Sequence, residues 1–262
     1  MKKVKDIISA MENFAPPILK EDFDNVGLMV GDKEEKVSKV LLALDCTNSV
    51  IDEAKENNCD MIITHHPLIF KKPNRIVKDD FLGNKIIELI KNDISLYSSH
   101  TNLDSVKGGI NDTIVKMLGF DFNSIIEESN KGYDGAGLGR IVNLEEEIDL
   151  NSLIEKIKSN LNVSNLRVVK GKERFKKIAI INGSGQSFFN DCIAEGVDCI
   201  ITGDTTYHFA SDLRELGITI IDPGHFKTEW LVFLSVMENI IEKFKEIEFI
   251  ISKESSDPYT FI

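Results

Sequence analysis

The chain has few of the residues that mark several large classes of protein. Only four cysteines occur among its 262 residues. These are Cys46, Cys59, Cys192 and Cys199, and no two form a C-x-x-C pair. Each lies in or beside an apolar run, so they read as small core residues, and a thiolate zinc site, which needs closer ligand pairs, is set aside. No stretch approaches the roughly 18 uninterrupted apolar residues of a membrane span. The first residues, MKKVKDIISAMENF, open with lysines, but Asp6 and Glu12 interrupt the apolar stretch, which does not read as a signal peptide. Basic residues are outnumbered: 31 Lys and Arg against 43 Asp and Glu give a formal charge of −12. A broad cationic field for phosphate backbones is missing, so nucleic-acid binding is disfavoured. What remains is ordinary, 42% hydrophobic and 28% charged, and long enough for one large domain or two smaller ones. A cytoplasmic globular protein is expected.

Two hydrophobic periods take turns along the chain. VKDIISAMENF reads as a helix closed by Pro16-Pro17, KVLLALDCT as a buried strand, Asn48 to Asn58 as a helix and DMIITHH as a strand. GNKIIELIKND then reads as a helix, ISLYSSHTNLD as a third strand and GGINDTIVKMLGF as another helix. Continuous apolar strands alternating with helices predict an α/β fold with sheets covered on both faces. After Phe120 the chain turns polar and glycine-rich, with Gly132, Gly135, Gly137 and Gly139 close together. That is where a boundary or loop is expected. A second series follows, through GRIVNL, DLNSLIEKIKSNL, NLRVVK, KKIAIING, QSFFNDCIAEG, DCIITGD, a helix to Leu216, ITIID, a long helix from about Phe226 to Lys245, and EFIISK. The expectation is two similar α/β halves with mixed sheets: residues 1–125 plus 224–262 as one domain, and 126–223 as the other.

Five histidines are present, and their placement is informative. Three segments, IITHHP, LYSSHTNLD and TIIDPGHFKTE, share one design: an apolar strand ending in a polar cluster. Ligands of open α/β sheets bind at the carboxyl ends of strands, so these ends are expected to meet in a cleft. Neighbours on a straight strand point to opposite faces, yet a turn helped by Pro67 would let both His65 and His66 face one site. The spacing of His225 and Glu229 puts both on the first turn of a helix, a ready grip for a divalent ion or simply a solvated pair. Asp104 is a further candidate, or a helix cap. Together His65, His66, Asp104, His225 and Glu229 offer more nitrogen and oxygen ligands than one closed tetrahedral zinc needs. They suit two adjacent ions (Zn, Mn, Fe or Co) with coordination positions left open for water of lowered pKa.

These residues resemble those of the Nif-three-like proteins, the GTP cyclohydrolase I type 2 homologs. The resemblance runs over nearly the whole chain, on DFDNVGLMVGD, LALDCT, IITHHPLIF, SSHTNLD followed by GGIND, INGSG, IITGD and DPGHFKTEW. One departure is Phe23, where the family commonly has Trp. The resemblance implies a dinuclear metal site on His65, His66, Asp104, His225 and Glu229. It also implies a homohexameric ring, and at this length the short form without an inserted domain.

Around the ligands, His100 lies roughly 13 Å from Asp104 if the strand stays extended, although a turn at Thr101-Asn102 would bring it back. It reads either as a group that supports a ligand or transfers a proton, or as a buried structural histidine. Asp45 would orient a ligating imidazole, or Asp45 or Thr47 would cap the next helix. His208 would offer an acid or base from the second half, or is simply structural. Gly183 and Gly185 sit between a strand and a helix, where exposed amides would suit phosphate, although no P-loop lysine follows and a tight turn fits better. The expected function is a dinuclear-metal hydrolase acting on a nucleotide or other phosphorylated or heterocyclic small molecule, with Glu229, His100 and His208 in catalytic roles. The alternative is a non-catalytic metal-binding ring scaffold or metal-handling protein.

Overall fold

The apolar runs fold as the strands and inner helix faces that their periods require. The computed structural model describes residues Met1–Ile262. In chain order it holds β1 (Lys2–Lys3), α1 (Val4–Phe14), β2 (Gly27–Val30), β3 (Lys36–Val37), β4 (Lys39–Ala43), α2 (Asn48–Glu56), β5 (Met61–Thr64), α3 (Phe81–Lys91), β6 (Ser95–Ser98), α4 (Thr101–Ser105) and α5 (Ile110–Met117). It continues through β7 (Ser124–Glu128), β8 (Gly137–Asp149), α6 (Leu150–Asn160), β9 (Arg167–Val169), β10 (Arg174–Ser184), α7 (Phe189–Ala194), β11 (Cys199–Gly203), α8 (Tyr207–Glu215), β12 (Thr219–Asp222), α9 (His225–Ile241) and β13 (Glu248–Ile251). No helix is long and apolar enough to cross a membrane.

The chain divides into two units, Met1–Leu103 with Phe233–Ser256, and Asp104–Val232 with Asp257–Ile262. It passes from one to the other inside α4 and inside α9. The glycine-rich stretch instead joins β7 to β8, an antiparallel pair. A β-carbon at Gly137 would lie 2.2 Å from the Glu127 carbonyl oxygen, so glycine there lets the two strands close.

The first unit is built on a five-stranded sheet in the order β13-β4-β5-β6-β2. Its first four strands run parallel, and β2 is antiparallel to β6. Ile62, Leu41, Leu96, Val50, Ile51, Ala54 and Leu89 make one buried core cluster between sheet and helices. Helix α2 starts where the Thr47 hydroxyl accepts a hydrogen bond from Val50 N, a cap that satisfies an otherwise orphaned amide. The buried carboxylate of Glu53 on α2 accepts from Ser252 Oγ at 2.5 Å and from Lys253 N at 2.9 Å, pinning the chain just after β13.

The second unit holds a six-stranded sheet, β7-β8-β10-β11-β12-β9. The central β10, β11 and β12 are parallel, and the outer pairs are antiparallel. Its core gathers Ile141, Ala179, Phe189, Cys192, Ile200, Leu213 and Ile220. Both sheets are mixed and helix-covered, the architecture that the alternating periods imply.

The third strand is shorter than its apolar run suggests. It stops at Ser98, and Thr101–Ser105 is helical. The cause is local: the Asn102 side-chain oxygen accepts from His100 N at 3.0 Å and from Ser99 Oγ at 3.2 Å, side-chain bonds that compete with continued strand pairing. The 13 Å separation expected from an extended HTNLD run therefore does not apply.

Candidate metal centre

In the first unit, β4, β5 and β6 end side by side in Asp45, His65-His66 and His100. The wholly buried His65 places Nδ1 2.9 Å from the Ser99 carbonyl oxygen. A carbonyl only accepts, so Nδ1 carries the proton and the neutral ring presents its lone pair at Nε2. His66 Nδ1 lies 2.8 Å from Asp45 Oδ1, and its backbone is turned by Thr64 Oγ1 donating to the His66 carbonyl at 2.8 Å. His100 Nδ1 lies 2.9 Å from Asp24 Oδ1. Ring centroids are 5.2 Å apart for His65 and His66, 5.2 Å for His65 and His100, and 5.5 Å for His66 and His100. Ligand-capable atoms of these three histidines lie within 4.8 Å of one another.

Asp24 is buried as well, and burial alone would raise its pKa. Hydrogen bonds and charge from His100, with further bonds from Thr101, outweigh this and hold the carboxyl well below the usual carboxylate range. Thr101 donates to Asp24 Oδ2 from its amide at 3.1 Å and its hydroxyl at 2.5 Å.

The second unit carries the matching group. His225 opens α9 directly after Pro223-Gly224, with Nδ1 2.8 Å from Asp204 Oδ2 and Nε2 2.9 Å from Glu229 Oε2 one turn along. The other oxygen of Glu229 accepts from Asn182 Nδ2 at 3.0 Å, and the same amide nitrogen donates to Asp104 Oδ1 at 2.9 Å. Asp104, Glu229 and Asn182 are all buried. Asn111 Nδ2 donates to the Asp104 carbonyl at 3.1 Å, fixing that end of the helix. Nearby, the fully buried Arg140 pairs through Nε with Asp112 Oδ1 at 2.5 Å. Burial draws its pKa below the ordinary arginine value against the opposing pull of Asp112 and Asp104.

The INGSG turn serves this group by close approach. Gly183 has φ 56°, and a β-carbon there would lie 2.3 Å from Glu229 Oε1 and 3.3 Å from His225 Cε1. Its amide donates to Thr228 Oγ1 at 3.0 Å, and that of Gly185 donates to Thr202 Oγ1 at 2.9 Å. Both amides are spent inside the fold, so the turn is no phosphate cradle.

Of the expected site residues, the structure thus groups His65, His66 and His100 in one unit, and Asp104, His225 and Glu229 in the other. His208 stands apart from the hydrogen bonds of this second group. It is exposed on α8, edge-on to the Tyr207 ring at 5.5 Å. Thr47 caps α2 while Asp45 holds His66, so the two readings of that turn divide between two residues. Sequence reasoning missed Asp24, Asn182 and Asp204. For Asp204 a signal was present: LALDCT and IITGDTT both end a strand in Asp. In each case that Asp meets the Nδ1 of a histidine 21 residues further on, at the end of the neighbouring parallel strand.

Two mixed α/β sheets with histidines and carboxylates at their strand ends define a protein of the metal-binding α/β class. The chain belongs to the Duf34/NIF3 (NGG1p interacting factor 3) family, whose model matches residues 2–258. It is 55% identical over 262 residues to a "GTP cyclohydrolase 1 type 2 homolog" of Clostridium perfringens, covering 99% of this chain and 100% of that one. It is 36% identical over 229 residues to the "GTP cyclohydrolase 1 type 2" of Helicobacter pylori strain J99, covering 87% and 88%. The crystal structure of Staphylococcus aureus hypothetical protein SA1388 superposes with a TM-score of 0.87 at 30% identity, covering 99% of each chain.

Proposed function

We propose that this protein is a dinuclear-metal-dependent hydrolase, with His65, His66, Asp104, His225 and Glu229 holding two divalent ions of the Zn, Mn, Fe or Co kind. The observation that carries the reading is the contact of His225 with Glu229. Asp204 Oδ2 accepts from His225 Nδ1, and in the neutral ring the Nε2 lone pair then faces a carboxylate oxygen at 2.9 Å. Two acceptors at that distance need a proton or a metal ion between them, and imidazole with carboxylate is a donor set suited to these metals. Gly183 supports the fit, since any β-carbon would press on Glu229 Oε1.

When bound, such ions supply Lewis acidity and lower the pKa of water toward neutrality. The chain's own residues do the rest. Ser99, Asp45 and Asp204 fix the tautomers of His65, His66 and His225, as ligand-orienting acceptors do. Asn182 spaces the Asp104 and Glu229 carboxylates. His100, braced by Asp24, moves a proton, and His208 offers a second acid or base from α8. The name carried by the Clostridium and Helicobacter relatives points to a guanine nucleotide or similar phosphorylated heterocycle as substrate. Assembly as a homohexameric ring in the cytoplasm completes the reading, and light scattering of the purified protein tests the mass of the ring.

Metal analysis of purified protein followed by a turnover screen over nucleotides and phosphoesters tests the function. About two equivalents per chain and turnover lost in Glu229→Ala are expected. Two equivalents without turnover across the panel would leave a metal-binding scaffold, and no metal would remove the mechanism.

A further inference from the structure

Arg167 sits at the start of β9, in register with Asp222 at the carboxyl end of β12, three residues before His225. Its Nη2 donates to Asp222 Oδ2 and lies 3.4 Å from Thr205 Oγ1. The two side chains of this pair differ sharply in exposure: 62% for Arg167 and 2% for Asp222. Asp222 also accepts from the Thr205 amide at 3.0 Å, from the Thr205 hydroxyl, and from Gly224 N at 2.9 Å. A buried carboxylate therefore anchors the Pro223-Gly224 turn that presents His225, and at the same time holds an outward arginine. Thr205 is the neighbour of Asp204, which holds His225. The guanidinium thus lies at the same strand ends as the second unit's ligand group.

Arg174 gives the contrast. It pairs with Glu147, and both side chains are more than half exposed. A pair of that kind is held loosely and contributes little. Arg167 is fixed on one side by a buried, fully bonded acid, while its Nε and Nη1 hydrogens have no partner in the protein. A planar fork held in place loses less freedom on binding an oxyanion than a free side chain does. Lys227, two residues beyond His225, is likewise tied down, donating to the Asn162 carbonyl at 3.0 Å.

We propose that Arg167 is an anion-recognition residue, whose outward edge binds phosphoryl oxygens of a phosphorylated small-molecule substrate beside His225 and Glu229; this rests on the metal-centre reading above. Phosphoryl groups are favoured over carboxylates by charge. The Arg167 and Asp222 charges cancel, so the site attracts through directed donors and adjacent divalent ions, and both favour a dianion with several oxygens.

Calorimetric titration with inorganic phosphate tests this on the metal-loaded wild type, Arg167→Gln, Arg167→Lys and the control Arg174→Gln, with metal content measured on each. Phosphate affinity is expected to fall about ten- to a hundred-fold in Arg167→Gln, the loss of charge-assisted hydrogen bonds. It should fall less in Arg167→Lys and not at all in Arg174→Gln, with metal content unchanged throughout. Acetate should bind weakly and indifferently to the substitution. Wild-type phosphate affinity in Arg167→Gln overturns the proposal. So does a loss of metal in that variant, which would make Arg167 a brace for the His225 turn, and so does acetate binding as tight as phosphate. A wild type that takes up no metal refutes the metal centre separately, and the phosphate ratio of wild type to Arg167→Gln then still decides the role of Arg167.

Discussion

Replacing Gly183 by alanine separates the strain of a backbone from the displacement of a ligand. Gly183 has φ 56° and Gly196 has φ 67°, so alanine at either position meets the same left-handed penalty, about 1–2 kcal/mol. Around Gly196 a new β-carbon meets nothing within 4 Å, whereas at Gly183 it meets Glu229 Oε1 at 2.3 Å. That oxygen ends a flexible side chain and can swing away, but only by giving up the Asn182 amide and the contact with His225. A charge-assisted hydrogen bond lost inside the fold costs about 1.5–3 kcal/mol. Counting the Asn182 bond alone, Gly183→Ala should therefore destabilise by about 2.5–5 kcal/mol and Gly196→Ala by about 1–2 kcal/mol. In a unit of this size the difference is a further few degrees in Tm. The sharper readout is metal affinity, expected to fall at least tenfold in Gly183→Ala and to stay unchanged in Gly196→Ala. Thermal unfolding with and without added Mn or Zn, together with metal titration, measures both. Equal Tm losses and equal metal uptake in the two variants would refute the reasoning, because the clash would then have no consequence.

Three further outcomes are expected. Asp45→Asn and Asp204→Asn each keep the size of the residue that holds an Nδ1 proton but weaken the acceptor, so metal affinity should drop about 10- to 100-fold in each. Equilibrium dialysis that found no change in either would sink the shared role. The Tyr97 hydroxyl is buried without a hydrogen-bond partner, so Tyr97→Phe should be neutral or stabilise by about 1 kcal/mol in a denaturant titration; a clear destabilisation would reveal a partner. Burial pushes the Cys46 and Cys192 thiols up to about 12 and Cys59 up to about 11, with Cys199 raised further. Native thiols should then resist iodoacetamide at pH 8 until the chain unfolds. Because the unfolded thiols ionise first, stability should fall as pH rises above about 9, at up to about 1.4 kcal/mol per pH unit per thiol. Fast labelling of the native protein would contradict the buried placement.

Much of the centre was legible because its parts obey short-range rules. The H-x-x-x-E spacing on a helix fixes which residues share a turn, and His225 and Glu229 meet whatever the rest of the chain does. Apolar strands ending in HHP and in SSHTNLD told where ligands would gather, since loops after parallel strands are where α/β sheets expose polar groups. The extent of the third strand was misread because Asn102 redirects the backbone through its own side chain, a competition invisible to hydrophobic periodicity. The dividing points of the two units were also hidden. They fall inside α4 and α9, and a helix that continues from one unit to the next leaves no glycine or proline in the text to mark the change.

By itself, the order of residues determined the class of fold, the helical pairing of His225 with Glu229, and the set of imidazoles and carboxylates available to a metal. These follow from the 3.6-residue turn, the two-residue pleat and donor chemistry, all of which act between neighbours in the chain. The tertiary structure decided the partners. Asp45 reaches His66 and Asp204 reaches His225 because parallel strands bring their ends side by side. Asp24 reaches His100 from the turn before the antiparallel β2, and Asn182 joins Asp104 to Glu229 across two helices and a strand end. Hydrogen bonds between strands have no sequence period, so no local pattern announces them. Folding had to choose which acid would hold which ring.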